Sequence, residues 1–153
     1  MFTLAITAAA TLIALVLASV GGASNQATIK VADVTDIGGL NDKGFNHLSY
    51  VGLVRAEKQL GIQGRVYITN TAAERKPNLQ AAAQSGYGLV IAVGVLYEFG
   101  PLDDVAPAFP NTKFVGIDVD WSGLSKKPTN VRGVQFKEQE SGYLVGYIAG
   151  HEI

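Results

Sequence analysis

Short apolar stretches alternate with segments of helical period along most of this chain, and that alternation constrains the fold more than any other feature. "TIKVADV" (Thr28 to Val34), "GRVYITN" (Gly64 to Asn70), "GLVIAVG" (Gly88 to Gly94), "TKFVGID" (Thr112 to Asp118) and "NVRGVQF" (Asn130 to Phe136) read as strands. "GLVIAVG" is a continuous apolar run bounded by glycines, the pattern of a central parallel strand buried on both faces. The first intervening helix starts near Asn41 or Asp42, either of which supplies a capping side chain, and stops at Gly61. It repeats Leu48, Gly52, Ala56 and Leu60 at every fourth position. A second helix takes Pro77 in its first turn, turns Leu79, Ala82 and Ala83 inward and ends at Gly86. "PLDDVAPAFP" is a short third helix with Leu102, Val105 and Phe109 on one side. Strand alternating with helix predicts an α/β fold, a parallel sheet flanked by helices and joined by right-handed crossovers.

The N-terminal stretch Phe2 to Val20 carries no charge and is close to the roughly 20 residues that cross a bilayer. Small, polar "GGASNQAT" follows it. Residues 1–23 therefore read as a signal peptide or an uncleaved membrane anchor, and 24–28 as a short linker. The rest of the chain is then extracytoplasmic, periplasmic or at the cell surface. "LASVGG" has the look of a lipobox with Val20 where the lipidated Cys would stand. The 153-residue chain contains no Cys, so it offers no thiol for a lipid, a disulfide, a metal site or a nucleophile. A formal net charge of -1 gives no global field to recruit nucleic acid. The two histidines, His47 and His151, lie far apart, which argues against a histidine metal centre.

Ligands of open parallel sheets bind outside the carboxyl ends of the strands. The loops at those ends are "TDIGGLNDKGFN", "NTAAERK", "GVLYEFG" and "DVDWSGLS", all richer in polar or aromatic groups than a plain turn requires. None matches G-x-G-x-x-G, G-x-x-x-x-G-K-[ST] or G-x-S-x-G. Asp33, Asp36 and Asp42 complete no recognisable metal or phosphoacceptor site. The expectation is a binding protein, not an enzyme, with no cofactor. An aromatic ring at Phe45 beside the carboxylate of Asp36 and the amide of Asn46 suits a flat, uncharged heterocycle with N–H donors and a sugar. Taken singly, each has a plainer reading: Phe45 as a core contact of the first helix, Asp36 as a turn-former, Asn46 as a group solvating the first helical turn.

"VTDIGGLNDKGFNHLSYVGL" resembles the signature of the basic membrane protein family, substrate-binding proteins of ABC-type nucleoside importers. Asp36, Gly38, Gly39, Asp42, Lys43, Phe45, Asn46, Tyr50, Gly52 and Leu53 carry the match, and Gly44 stands where the family usually has Ser. "LVIAVGVLY", "FPNTKFVGID" and "VQFKEQESGYLVGYIAG" extend the likeness over nearly everything from Ile29 onward. The resemblance implies one lobe of a type I periplasmic-binding-protein fold, which closes with a second lobe on a purine nucleoside (guanosine, inosine or adenosine) and delivers it to a membrane permease. It implies that Phe45 stacks on the base, that Asp36 and Asn46 bond to it, and that Asp118 lies in the cleft. Asp42, Gly94 and Tyr97 are further candidates. "NTAAERK" departs from the family's acidic, Ser-rich loop, so no contact is carried over to it. The same likeness implies that residues 29–136 form the N-terminal lobe and that 137–153 are the first helix of a truncated second lobe. Tyr143, Leu144, Tyr147 and Ile148 of that helix would then lack cover, a route to self-association. The alternative is an extracytoplasmic ligand-sensing or regulatory module built on the same lobe.

Overall fold

The structure, a computed structural model, describes residues 28–152. The leader and lipobox readings fall outside them. Five strands form one wholly parallel sheet: β1 (Lys30–Val34), β2 (Gln63–Tyr67), β3 (Leu89–Val93), β4 (Lys113–Ile117) and β5 (Val131–Val134). Their order is β2-β1-β3-β4-β5. The helices are α1 (Phe45–Leu60), α2 (Arg75–Gln84), α3 (Pro101–Val105) and α4 (Glu138–His151). All the expected strands are present and shorter than expected, β2 being also shifted one residue toward the N-terminus at its start. β2 leaves the ladder at Tyr67, not Asn70, because the chain turns there: the Thr69 N–H donates to the Thr35 hydroxyl at 3.1 Å instead of continuing the sheet.

The order sets the position of the site. From β1 the chain crosses through α1 to β2 on one side. From β2 it crosses through α2 to β3 on the other side of β1. The loops leaving the carboxyl ends of β1 and β3 therefore diverge, and a crevice opens between them.

Side chains alternate across each strand, so the sheet has two faces of different character. On one, Ala32, Val34, Val90, Ala92, Phe114 and Val131 pack under Leu79, Ala82 and Ala83 of α2 and Leu102 and Val105 of α3. Each fully buried Leu or Val there contributes about 1.5–3 kcal/mol from removal of apolar surface from water. The inward residues expected of α2 and α3 are those found, with Phe109 packed at the margin. α3 is shorter than expected. It passes at Ala106 into a tighter 3-10 turn, Ala106–Ala108, where Pro107 has no N–H to extend an α-helix.

The other face carries α1, and here the expected pattern is corrected. The row Leu48, Gly52, Ala56 and Leu60 is not the buried one: Leu48 is 65% and Leu60 75% exposed, whereas Asn46 and Leu53 are buried. Polar anchors set the rotation of the helix. Asn46 grips the loop before it, Ser49 donates to Asp33 at 3.0 Å, and Glu57 accepts the Gly64 N–H at 2.9 Å. Gly64 makes this approach feasible, since a Cβ there would lie 2.9 Å from both the Leu53 side chain and the Glu57 carboxylate. α1 covers only part of this face. Leu89 and Ile91 of β3 stay half-buried along an apolar groove shared with Val31, Leu60 and Ile117, so β3 is sealed on one face and not on both.

Asp33 also points to the α1 side. It is fully buried, Ser49 serves one carboxylate oxygen, and Oδ2 has no partner among the described residues. Burial pushes this carboxyl up from 3.8 to about 6, against the opposing effect of the Ser49 hydrogen bond. α4 buries none of its residues: Tyr143, Leu144, Tyr147 and Ile148 are all exposed, and Gly142, Gly146 and Gly150 face open space.

Candidate functional site: a pocket at the carboxyl ends of β1, β3 and β4

The loop from β1 to α1 is organised by two of its own side chains. Asp42 sits just ahead of the helix. Its Oδ1 accepts the N–H groups of Gly44 at 2.8 Å and His47 at 3.0 Å, and its Oδ2 accepts that of Asn46 at 3.1 Å. Amides at a helix start have no partner inside the helix, and this carboxylate takes them. The Gly44 and His47 bonds lead in holding the Asp42 carboxyl below its usual range. Asn46 clasps the other end of the loop. Its Oδ1 accepts the Asp36 N–H at 2.9 Å, while its Nδ2 donates to the Asp36 carbonyl at 2.9 Å and reaches the Ile37 carbonyl at 3.5 Å. Gly38 and Gly39, at φ of 126° and 71°, make the intervening reversal in a region that favours glycine.

Asp36 is thereby fixed at its backbone, and its carboxylate is fixed as well. Oδ1 accepts the Ile37 N–H at 2.7 Å and the Arg75 Nε–H at 2.8 Å, and Arg75 Nη2 pairs with it at 2.7 Å. Oδ2 points toward Gly94, where an added Cβ would stand 3.2 Å away and where φ is 111°. Arg75, the first residue of α2, is only 8% exposed. It comes from "NTAAERK", the loop from which the sequence comparison carried nothing over. The usable signal was positional: β2 lies next to β1, so a cation just after β2 is within reach of an acid just after β1.

Asp118 follows β4 with φ of 62° and projects into the same space. Its carboxyl is raised, first by burial, then by the facing carboxylates of Glu138 and Glu98. Phe45 is 46% exposed and so is not a core residue of α1. Its ring lies 5.6 Å from that of Phe136, tilted by 52°, and Phe136 is itself half exposed.

These groups enclose one open pocket of about 230 Å³, lined by Asp36, Ile37, Asp42, Phe45, Asn46, Val93, Gly94, Val95, Leu96 and Asp118. Six of the seven residues expected at a ligand site, Asp36, Asp42, Phe45, Asn46, Gly94 and Asp118, are thus brought together. Tyr97 is not among them. It is fully buried in the core, where its hydroxyl donates to the Thr35 carbonyl at 2.7 Å and lies 3.2 Å from the Thr69 hydroxyl, and burial pushes it up to about 12. The 3-10 turn Val95–Tyr97 rotates this ring under the sheet while leaving Val95 and Leu96 on the pocket side. Chemically the lining offers hydrogen-bond acceptors, an aromatic face and aliphatic walls. It suits an uncharged ligand with N–H or O–H donors and disfavours an anion. Among the described residues, no group of three or more His, Asp or Glu side chains is placed to hold a metal ion.

The parallel sheet is an architecture this chain shares with solved solute-binding proteins. It superposes on an ABC transporter solute-binding protein from Aeropyrum pernix with a TM-score of 0.69 at 35% identity, covering 77% of this chain and 31% of that one. A second such protein, from Conexibacter woesei, matches with a TM-score of 0.61 at 28% identity, over 80% of this chain and 40% of the other. An uncharacterized lipoprotein of Pyrococcus abyssi is 36% identical over 143 residues, which is 90% of this chain and 34% of that protein. The ABC transporter nucleoside-binding protein BmpA of Lactococcus lactis is 31% identical over 125 residues, 79% of this chain and 34% of the relative. Residues 29–152 match the family described as ABC transporter substrate-binding protein, PnrA-like, and the chain belongs to that family. It spans about one third of the length of the curated relatives it matches. The family is one of transporter binding proteins and not of enzymes.

Proposed function

We propose that this chain is the N-terminal lobe of an extracytoplasmic receptor that binds purine nucleosides for an ABC-type importer. The observation that carries the reading is the juxtaposition, in one pocket, of the half-exposed Phe45 ring, the open Oδ2 of Asp36 and the carboxylate of Asp118. Phe45 stacks on the base, Asp36 accepts an N–H from its edge, and Asp118 takes a donor from the sugar. Gly94 keeps the approach open. Asn46 and Asp42 act one step back, holding the loop and the helix start in place. The nucleoside-binding function named for the Lactococcus relative supports this assignment.

Residues 29–136 constitute the lobe, and 137–153 begin a second one. The absence of any buried residue in α4 is what a helix shows when its packing partners belong to another lobe. The first 23 residues export or anchor the chain, and a membrane permease receives the ligand. One lobe offers one stacking face, so binding by this chain alone is weak, with dissociation constants of about 1 mM or above, equivalent to roughly 4 kcal/mol or less.

Saturation-transfer NMR with guanosine, inosine, adenosine, cytidine and guanosine monophosphate tests the assignment. Purine nucleosides should show contact with the protein, cytidine less, and the monophosphate least, because its added charge faces three carboxylates, Asp36, Asp42 and Asp118. Equal signals from purine, pyrimidine and phosphate forms, or none from any, would contradict it.

A further inference from the structure

We propose, resting on the nucleoside-binding reading above, that Arg75 is a specificity-determining positioning residue. By occupying one oxygen of Asp36 it leaves Asp36 a single open acceptor oxygen, which recognises one N–H on a base edge where a free carboxylate would recognise two.

The two oxygens of Asp36 are in opposite states. Oδ1 accepts two N–H groups, from Ile37 at 2.7 Å and from Arg75 Nε at 2.8 Å, and Arg75 Nη2 stands 2.7 Å from it in the ion pair. A carboxylate has about four acceptor sites over its two oxygens, so these two hydrogen bonds and the adjoining Nη2 leave Oδ1 no further capacity. Oδ2 has no donor among the described residues. It faces the gap left by the missing side chain of Gly94, 3.2 Å from where a Cβ would stand. The carboxylate is not free to swivel and exchange these roles. The ion pair is nearly enclosed, with side chains 10% and 19% exposed, and its bonds are charge-assisted. The backbone of Asp36 is held separately by Asn46 through two bonds of 2.9 Å. Arg75 touches none of the pocket's open space, so it acts on a ligand only through Asp36.

This geometry separates two purines by their chemistry. Guanine presents two parallel donors on one edge, N1–H and the 2-amino group. Hypoxanthine presents N1–H alone. A carboxylate with both oxygens open takes guanine in a two-pronged arrangement and favours guanosine. With Oδ1 already filled, N1–H bonds to Oδ2 and the 2-amino group finds no acceptor on Asp36. The pocket therefore treats guanosine and inosine alike. Removing the guanidinium opens one acceptor position of Oδ1, the other staying with the Ile37 N–H, and guanosine gains a second charge-assisted bond that inosine cannot make.

The experiment is an amide NMR titration of the full chain, kept in solution by detergent, with guanosine and with inosine, following Ile37 and Gly94. In the native chain the two dissociation constants should agree within about threefold. In Arg75→Met the ratio should move toward guanosine by about tenfold, the scale of one hydrogen bond to a charged group. Arg75→Lys makes the same comparison should the Met variant lose its amide dispersion. Its single ammonium cannot fork onto Oδ1, and the ratio should move in the same direction by a smaller factor. A ratio is the chosen readout because a general loosening of the fold weakens both nucleosides together. A native chain that already prefers guanosine tenfold, or a folded variant whose ratio does not move, overturns the role of Arg75 and leaves nucleoside binding intact. If neither nucleoside perturbs Ile37 and Gly94, nucleoside binding itself is refuted, and this inference with it.

Discussion

Asp33 and Asp36 lie three positions apart at the end of one strand, and their surroundings give them opposite characters. Asp36 is a paired carboxylate at the pocket, whereas Asp33 is buried with one oxygen unserved. The folded pKa of Asp33, about 6, lies above its ordinary 3.8, so the fold favours the protonated form. The stabilisation is fully present below about pH 3.8 and is lost as pH rises through about 6. At neutral pH the ionised group costs on the order of 3 kcal/mol, since each pKa unit is about 1.4 kcal/mol. Asp33→Asn should therefore raise stability by about 1–3 kcal/mol near neutral pH and flatten this part of the pH profile. Urea unfolding at a series of pH values measures both, and an Asn variant less stable than the native chain at neutral pH would contradict the assignment. At this scale the sequence pointed to groups that line the pocket, because Asp36, Phe45 and Asp118 lie in or at the end of loops that leave the carboxyl ends of strands, where a parallel sheet presents its site. It did not reveal Arg75. That partnership is made across 39 positions of sequence and depends on which strand neighbours β1. Nor did it show that the Asn46 amide would be taken up by the loop backbone, since an amide at a helix start serves a ligand or a loop equally well.

Elements were legible in kind and order, and less so in which side they bury. The glycine-bounded apolar runs identified the strands, and α2 buries the residues its spacing indicated. α1 does not, because three polar anchors at Asn46, Ser49 and Glu57 outweigh an apolar row that carries two glycine or alanine positions and little surface to bury. Two expectations follow for the helices. Asp42→Ala leaves the Gly44, Asn46 and His47 amides without their acceptor, so it should lower the melting temperature and speed hydrogen exchange at those three amides. Unchanged exchange would show that Asp42 does not hold the helix start. Because its carboxyl lies below the ordinary range, this support is present above the unfolded value of 3.8 and is lost as pH falls through the lower folded value. α4 behaves differently. Leu144→Lys with Ile148→Lys removes no buried contact, so the unfolding free energy should change by no more than about 0.5 kcal/mol. Exposed apolar rows favour association, so the same pair of changes should lower the sedimentation coefficient of the chain toward that of a monomer. A large loss of stability would mean that α4 packs within its own chain.

On the scale of the whole molecule, the strand order β2-β1-β3-β4-β5 explains why the site is where it is. The reversal beside β1 opens the crevice, the loops of β1, β3 and β4 supply its walls, and Arg75 from the β2 side braces one of them. The pocket is open, with a volume of about 230 Å³. The central claim is that Phe45 is a ligand-stacking ring and not a structural one. Its exposure and its contact with Phe136, another exposed ring, are the structural basis for that claim. The most direct measurement compares the native chain with Phe45→Ala in two respects, inosine affinity by NMR titration and unfolding free energy by urea. The account predicts that affinity falls by about 1–3 kcal/mol, the contribution of an aromatic stack to a base, while stability changes by less than about 1 kcal/mol. Unchanged affinity, or a variant that loses several kcal/mol of stability, would show that Phe45 belongs to the fold and that the site lies elsewhere.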